Sequence, residues 1–302
     1  MKSEIIPYSG FANHEKIYVA GHAFKSYKLG NVREDQRRLR NFLQMIRRYR
    51  LRPLTDMPIE VQINGSVHTV TTNSKGFFSG VFPSSGKPKG WEPYQLKLDG
   101  MDKTVEGQFL AADRHSVGVI SDIDDTLIVS HATRLLKKVA LMLFKNAYSR
   151  KTVPNIDEFY EKIKSLNDGK LPNDFFYVSN SEWNLFDLLH NIFYIHHLPE
   201  GIFLLNELKV GLWEPVRAGN THSKHKINII KFLLKFYPDK QFILLGDNGQ
   251  KDMTIYSEIC TSQPHRIKGV LIRILKRKGM KQYHAFEERI SGLNIPVGYL
   301  SE

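Results

Sequence analysis

The chain of 302 residues holds a single cysteine, Cys260, so no internal disulfide can staple it, and a reducing compartment suits it. No apolar run approaches the roughly 18 residues that a membrane-spanning helix needs. The opening stretch MKSEIIPYSGFANHEKIYVAG has no continuous apolar core and no small-residue cleavage pattern, so the expectation is a cytoplasmic protein without a secretory signal, peripheral to a membrane at most. Twelve histidines are present, but none falls in HExxH or a comparable spacing, which counts against a zinc site. There is no internal repeat, low-complexity tract or coiled-coil heptad. Acid is the scarcer charge, with 31 Asp and Glu against 43 Lys and Arg and a net charge of +12. Such an excess draws in phosphate-bearing partners without choosing among lipid surfaces, nucleic acids and soluble anions. The lack of an RNP-like aromatic signature or zinc-finger spacing counts against nucleic acid.

What is present divides near Arg114. Before it, IEVQINGSVHTVTT alternates apolar and polar residues around Asn64-Gly65, a strong hairpin signal. KIYVAGHAF, GFFSGVF, PYQLKLDG and TVEGQFLA predict further short strands, separated by turns rich in Gly, Pro, Ser and Asn. Residues 1–115 are therefore expected to form a β-rich, sandwich-like domain. An arginine-rich amphipathic helix is expected within it at about 32–50, where Leu39, Phe42, Leu43 and Ile46 recur at helical spacing and Asn31 with Glu34 can cap the start. From Ser116 onward strands and helices alternate, which implies a parallel sheet of about five strands wrapped by helices over residues 116–302.

The most informative segment of that second part is VGVISDIDDTL, Val117–Leu127. An apolar run that breaks abruptly into acids is what a buried parallel strand looks like where its carboxyl end opens into a site. Asp122 and Asp124 sit two apart with Thr126 beyond, while Asp125 reads as a turn or helix-start acid. FFYVSNS is a second apolar strand, ending at Ser179; Asn180 and Ser181 compete with it, and Ser179 is favoured because it directly follows the apolar run. FILLGDNGQKD is a third strand, ending in Gly246-Asp247 with Asp252 beyond. Between the last two, HKINIIKFLLKF opens a helix in which Lys224 and Lys226 compete.

Taken together these elements resemble the haloacid dehalogenase superfamily of aspartyl-phosphate phosphohydrolases. Within it, SDIDDTL, FFYVSNSEW, the HK helix, GDNGQKD and IY resemble the phosphatidate phosphatases associated with cortical actin patches and their bacterial relatives. The resemblance implies a Rossmann-like domain with a small cap inserted at about 128–152. It implies Asp122 as nucleophile and Asp124 as the acid that protonates the leaving oxygen and then deprotonates water, a paired-carboxylate division of labour. It selects Lys226 over Lys224, and gives Ser179 and Lys226 as holders of the phosphoryl oxygens. Four carboxylates in one cleft repel one another unless a cation joins them. The resemblance supplies Mg²⁺, bound by the Asp122 side chain, the Asp124 carbonyl and Asp247, with Asp252 holding a metal-bound water or orienting Lys226.

The expected activity is thus Mg²⁺-dependent phosphomonoester hydrolysis, with phosphatidate as substrate and diacylglycerol as product. Two other readings stand beside it: a phosphatase of a soluble or nucleic-acid-end phosphate, and a non-catalytic membrane or cytoskeletal adaptor. The segment HATRLLKKVALMLFKNAYSRK is apolar on all sides from Val139 to Phe144 and bracketed by lysines and arginines. It reads either as a buried cap helix or as a lid that dips into an anionic lipid interface. The oligomeric state has no sequence signal.

Overall fold

The computed structural model describes residues 3–25, 52–86, 90–99, 104–123, 126–127, 156–206, 222–248, 251–275 and 279–301. The basic helix expected at about 32–50, the cap expected at about 128–152, and Asp124 lie outside the described residues. The chain divides into two compact units, Met1–Arg114 and His115–Glu302. Among the described residues no helix is long and apolar enough to cross a membrane.

The first unit is built from β1 (Ser3–Pro7), β2 (Gly10–Ala12), β3 (Lys16–Lys25), β4 (Arg52–Pro53), β5 (Pro58–Ile63), β6 (Ser66–Thr71), β7 (Phe77–Pro83), β8 (Gly90–Leu98) and β9 (Val105–Ala111). Their ladders join into one nine-stranded network in the order β1-β3-β2-β9-β8-β5-β6, with β4 and β7 also pairing β3. All pairs are antiparallel except β2 with β9. The β5–β6 hairpin turns at Asn64 and Gly65, whose φ angles of 50° and 77° are both left-handed, the backbone that a tight two-residue turn demands. Alternation in β5 buries Ile59, Val61 and Ile63 and exposes the residues between them. These join Ile17, Val19, Phe78, Tyr94, Leu96 and Phe109 in one apolar cluster.

The second unit carries a six-stranded sheet built from β10 (Gly118–Ser121), β11 (Asp174–Glu182), β12 (Ile202–Asn206), β13 (Phe242–Asp247), β14 (Ile267–Ile274) and β15 (Val297–Ser301). Every pair is parallel and the order is β12-β11-β10-β13-β14-β15. Between strands run α1 (Ile156–Ser165), α2 (Phe186–Ile195), α3 (His222–Phe236), α4 (Asp252–Ser262) and α5 (Gly279–Ile290). β13 is buried at all six positions and β10 at all four, the signature of strands covered on both faces. The sheet has one strand more than the sequence pattern predicts, because β15 is a short stretch that follows Pro296 and carries little periodic signal.

This order places the site. The chain lays down β10, moves outward through β11 and β12, then returns to the other side of β10 with β13. Such a reversal leaves a crevice outside the carboxyl ends of the two strands that flank it, where ligands bind in open parallel sheets. At the opposite, amino end the sheet is tied by a buried group: Lys240 Nζ lies 2.6 Å from Asp174 Oδ2 and donates to Ser116, which in turn donates to Asp174. Arg266 donates to the carbonyls of Leu234, Tyr237 and Lys240, supplying buried donors to the end of α3 and the turn that follows it.

Candidate active site

Asp122 follows β10 directly, and its amide donates to the Leu245 carbonyl of β13 at 2.9 Å. That bond continues the β10–β13 ladder by one residue past the end of the apolar run. The Ser121 hydroxyl donates to the Asp122 carbonyl at 2.7 Å, a second restraint on the same backbone. Asp247 is the last residue of β13, and Asp252 is the first of α4, where an acidic side chain complements the positive end of the helix. Carboxylate oxygens of Asp122, Asp247 and Asp252 all lie within 4.8 Å of one another, and all three residues are buried. Strand ends and a helix start thus converge on one buried cluster.

Lys226 completes the cluster. Its Nζ is 2.8 Å from Asp122 Oδ1 and 2.5 Å from Asp252 Oδ1. The helix explains why this lysine is chosen. Ile229, Ile230, Leu233 and Leu234 form the core-facing stripe of α3, and Lys226 begins the same stripe one turn earlier, so its side chain is carried inward. Lys224, two residues before, is exposed. Burial alone would weaken the Lys226 ammonium, but the Asp122 and Asp252 carboxylates and their hydrogen bonds outweigh it and hold its pKa above the ordinary lysine value.

The remaining sequence candidates divide. Ser179 is fully buried in β11, the strand that flanks β10 on the side away from β13. Asn180 and Ser181 follow it in the same strand. Asp124 lies outside the described residues, so the structure brings together Asp122, Lys226, Asp247 and Asp252 and leaves the second carboxylate of the DxD pair unplaced.

Three supporting residues fall inside the sequence motifs, Gly246 and Asn248 in GDNGQKD and Tyr256 in IY, but nothing in those motifs assigns them a role. Gly246 is one: a Cβ there would stand 2.7 Å from the Tyr256 ring and 2.8 Å from Asp252 Cβ, so only glycine lets α4 approach β13 this closely. Tyr256 is the second, with its hydroxyl donating to Leu245 O at 2.6 Å. Burial, then the nearby Asp252, Asp122 and Asp247 carboxylates, push its pKa well above the usual tyrosine value. Asn248 is the third; its amide donates to Arg273 O and its side-chain oxygen accepts from Leu275 N, holding the turn after Asp247 against the end of β14. Tyr256 lies one helical turn after Asp252, on the same face of α4.

A donor set made only of carboxylate oxygens, buried and mutually within reach, is the chemistry of a hard divalent cation. The lysine bridging two of those acids would place an ammonium beside any anionic group bound there.

Residues 117–274 match the family described as phosphatidate phosphatase APP1, catalytic domain. The chain is 26% identical over 216 residues to an uncharacterized protein of Schizosaccharomyces pombe, covering 68% of this chain and 34% of that protein. It is also 26% identical over 181 residues to the phosphatidate phosphatase APP1 of Saccharomyces cerevisiae, covering 60% of this chain and 29% of that protein. The chain therefore spans about a third of the length of the curated relatives it matches. Among solved structures, a carbohydrate acetylesterase from Xanthomonas citri aligns at 11% identity with a TM-score of 0.28, over 98% of this chain and 68% of that one; so loose a superposition assigns neither fold nor activity.

Proposed function

We propose, from the premise that this chain belongs to the phosphatidate phosphatase APP1 catalytic domain family, that it is a phosphoric monoester hydrolase acting on phosphatidate. The observation that carries the proposal is the Lys226 bridge between Asp122 and Asp252, with Asp247 beside it, at the carboxyl edge where the strand order reverses. On this reading the parallel sheet is the Rossmann-like core of a haloacid dehalogenase phosphatase, the residues at about 128–152 are its cap, and the β-rich unit is a sandwich-like module preceding it.

The chemistry follows from the residues. The Asp122 carboxylate attacks phosphorus, forming an acyl phosphate as the bond to the leaving alkoxide breaks. Asp124 gives that alkoxide its proton, then takes one from the water that releases inorganic phosphate and restores Asp122. Lys226 and Ser179 hold the non-bridging oxygens, and Asp252 keeps the lysine aimed, consistent with their 2.5 Å separation. Asp122, Asp247 and the Asp124 carbonyl would hold Mg²⁺, which when bound screens the acids from one another and neutralises charge on the phosphoryl group.

The net charge of +12 suits a substrate embedded in an anionic surface, so the enzyme would work from the cytoplasm as a peripheral visitor to the bilayer. The test is Mg²⁺-dependent phosphate release from an aryl phosphate and from phosphatidate in micelles. Asp122→Asn should lower both rates by about a thousandfold or more. Equal rates in variant and wild type would remove the nucleophile. A strong preference for sugar phosphates or nucleotides over phosphatidate would overturn the lipid substrate while leaving the phosphatase standing.

A further inference from the structure

Tyr256 is 1% exposed and lies one turn beyond Asp252 on α4. The two side chains grip the end of β13 on either side of Gly246. Tyr256 donates its hydroxyl to the Leu245 carbonyl at 2.6 Å, and Asp252 Oδ2 accepts from the Asp247 amide at 3.2 Å. The Leu245 carbonyl is the same atom that receives the Asp122 amide at 2.9 Å. One carbonyl oxygen therefore accepts both from the Asp122 amide and from the Tyr256 hydroxyl, tying the end of β10 and α4 to the same point of β13. The close fit at Gly246, where a Cβ would meet both Tyr256 and Asp252, leaves α4 no room to come nearer; the two hydrogen bonds keep it from drifting away.

We infer that Tyr256 is a positioning residue for phosphoryl transfer, setting the spacing of Asp122, Asp247 and Asp252 through the Leu245 carbonyl. It touches no reacting atom; its effect passes through the strand end and through Asp252, which in turn aims Lys226. The inference rests on the phosphatase reading of the same pocket. Reactions held in place by several fixed groups are sensitive to sub-ångström displacement of one of them.

The test compares Tyr256→Phe with Tyr177→Phe in the full chain. Tyr177 is an equally buried tyrosine whose hydroxyl donates to the Pro199 carbonyl at 2.7 Å, a contact that involves none of the acids. The two variants should lose similar stability in urea. Only Tyr256→Phe should lower kcat for an aryl phosphate, by about tenfold with little change in KM, and weaken Mg²⁺ binding measured by calorimetry about threefold or more. If Tyr256→Phe matches Tyr177→Phe in kcat and in Mg²⁺ affinity while wild type is active, the positioning role is overturned and the phosphatase survives. If wild type releases no phosphate, the phosphatase reading fails; the Mg²⁺ arm then decides alone, and equal cation affinity in all three proteins overturns the positioning role as well.

Discussion

Lys224 and Lys226 share a helix and a charge, yet Lys226 is buried between Asp122 and Asp252 while Lys224 is exposed. In the sequence the two lysines compete and the family resemblance selects Lys226; the apolar stripe of α3, buried in the structure, supplies the physical reason that its side chain is carried inward. Asp122 and Asp247 are visible in the sequence because each stands where an apolar strand breaks off, after Ser121 and after Gly246. Gly246 and Tyr256 stand in the sequence motifs, but their role was not legible, since it exists only where α4 meets β13 and no local pattern reports that approach. The contrast between the lysines is directly measurable. Lys226→Met leaves Asp122 and Asp252 without the cation between them, and should destabilise the full chain by about 3–5 kcal/mol in urea unfolding. Lys224→Met, on the exposed side, should change stability by less than about 0.5 kcal/mol.

Among the elements, those with a strong period were foreseen and those defined by their neighbours were not. β13 and α3 declare themselves by a fully buried run and an amphipathic stripe. β15 and α5 did not, because a five-residue strand after Pro296 becomes a strand only through its ladder with β14. The basic helix and the cap fall on residues outside those described, so their expected faces stand as sequence readings. The connection from α3 to β13 is held in a way no pattern announces: Arg266, arriving from thirty residues later, supplies donors to Leu234, Tyr237 and Lys240 carbonyls. Arg266→Leu keeps much of the side-chain volume and removes every donor. Its expected cost is about 2 kcal/mol in urea unfolding, since buried carbonyls lose their partners. Activity per folded molecule should be unchanged, because these contacts lie at the end of the sheet away from Asp122 and Asp247.

For the molecule as a whole, the first unit brings an acid sensitivity of its own. His22 is fully buried, with its Nδ1 2.6 Å from the Tyr8 hydroxyl and with Phe24 and Phe77 against its ring. Burial, then the Lys75 charge, lowers its pKa from 6.5 to about 3. Above about 6.5 the imidazole is neutral in both folded and unfolded chains and adds no pH dependence. Between the two values the unfolded chain takes up a proton that the folded one resists, so stability should fall by about 1.4 kcal/mol per pH unit as the solution is acidified, and level off below the folded value. Urea titrations of the full chain across that window should show a shallower slope in His22→Gln than in wild type, the remainder coming from carboxylates that pair with lysines in the fold. The second unit has a different dependence, on order of synthesis. β10 emerges from the ribosome with Asp122 long before Phe242, yet the carbonyl that receives the Asp122 amide, the acid at Asp247 and the helix bearing Asp252 all come later. A nascent or truncated chain that stops short of β13 carries the candidate nucleophile on a strand with one neighbour missing. On the phosphatase reading, such a copy lacks Asp247 and Asp252 and should release no phosphate.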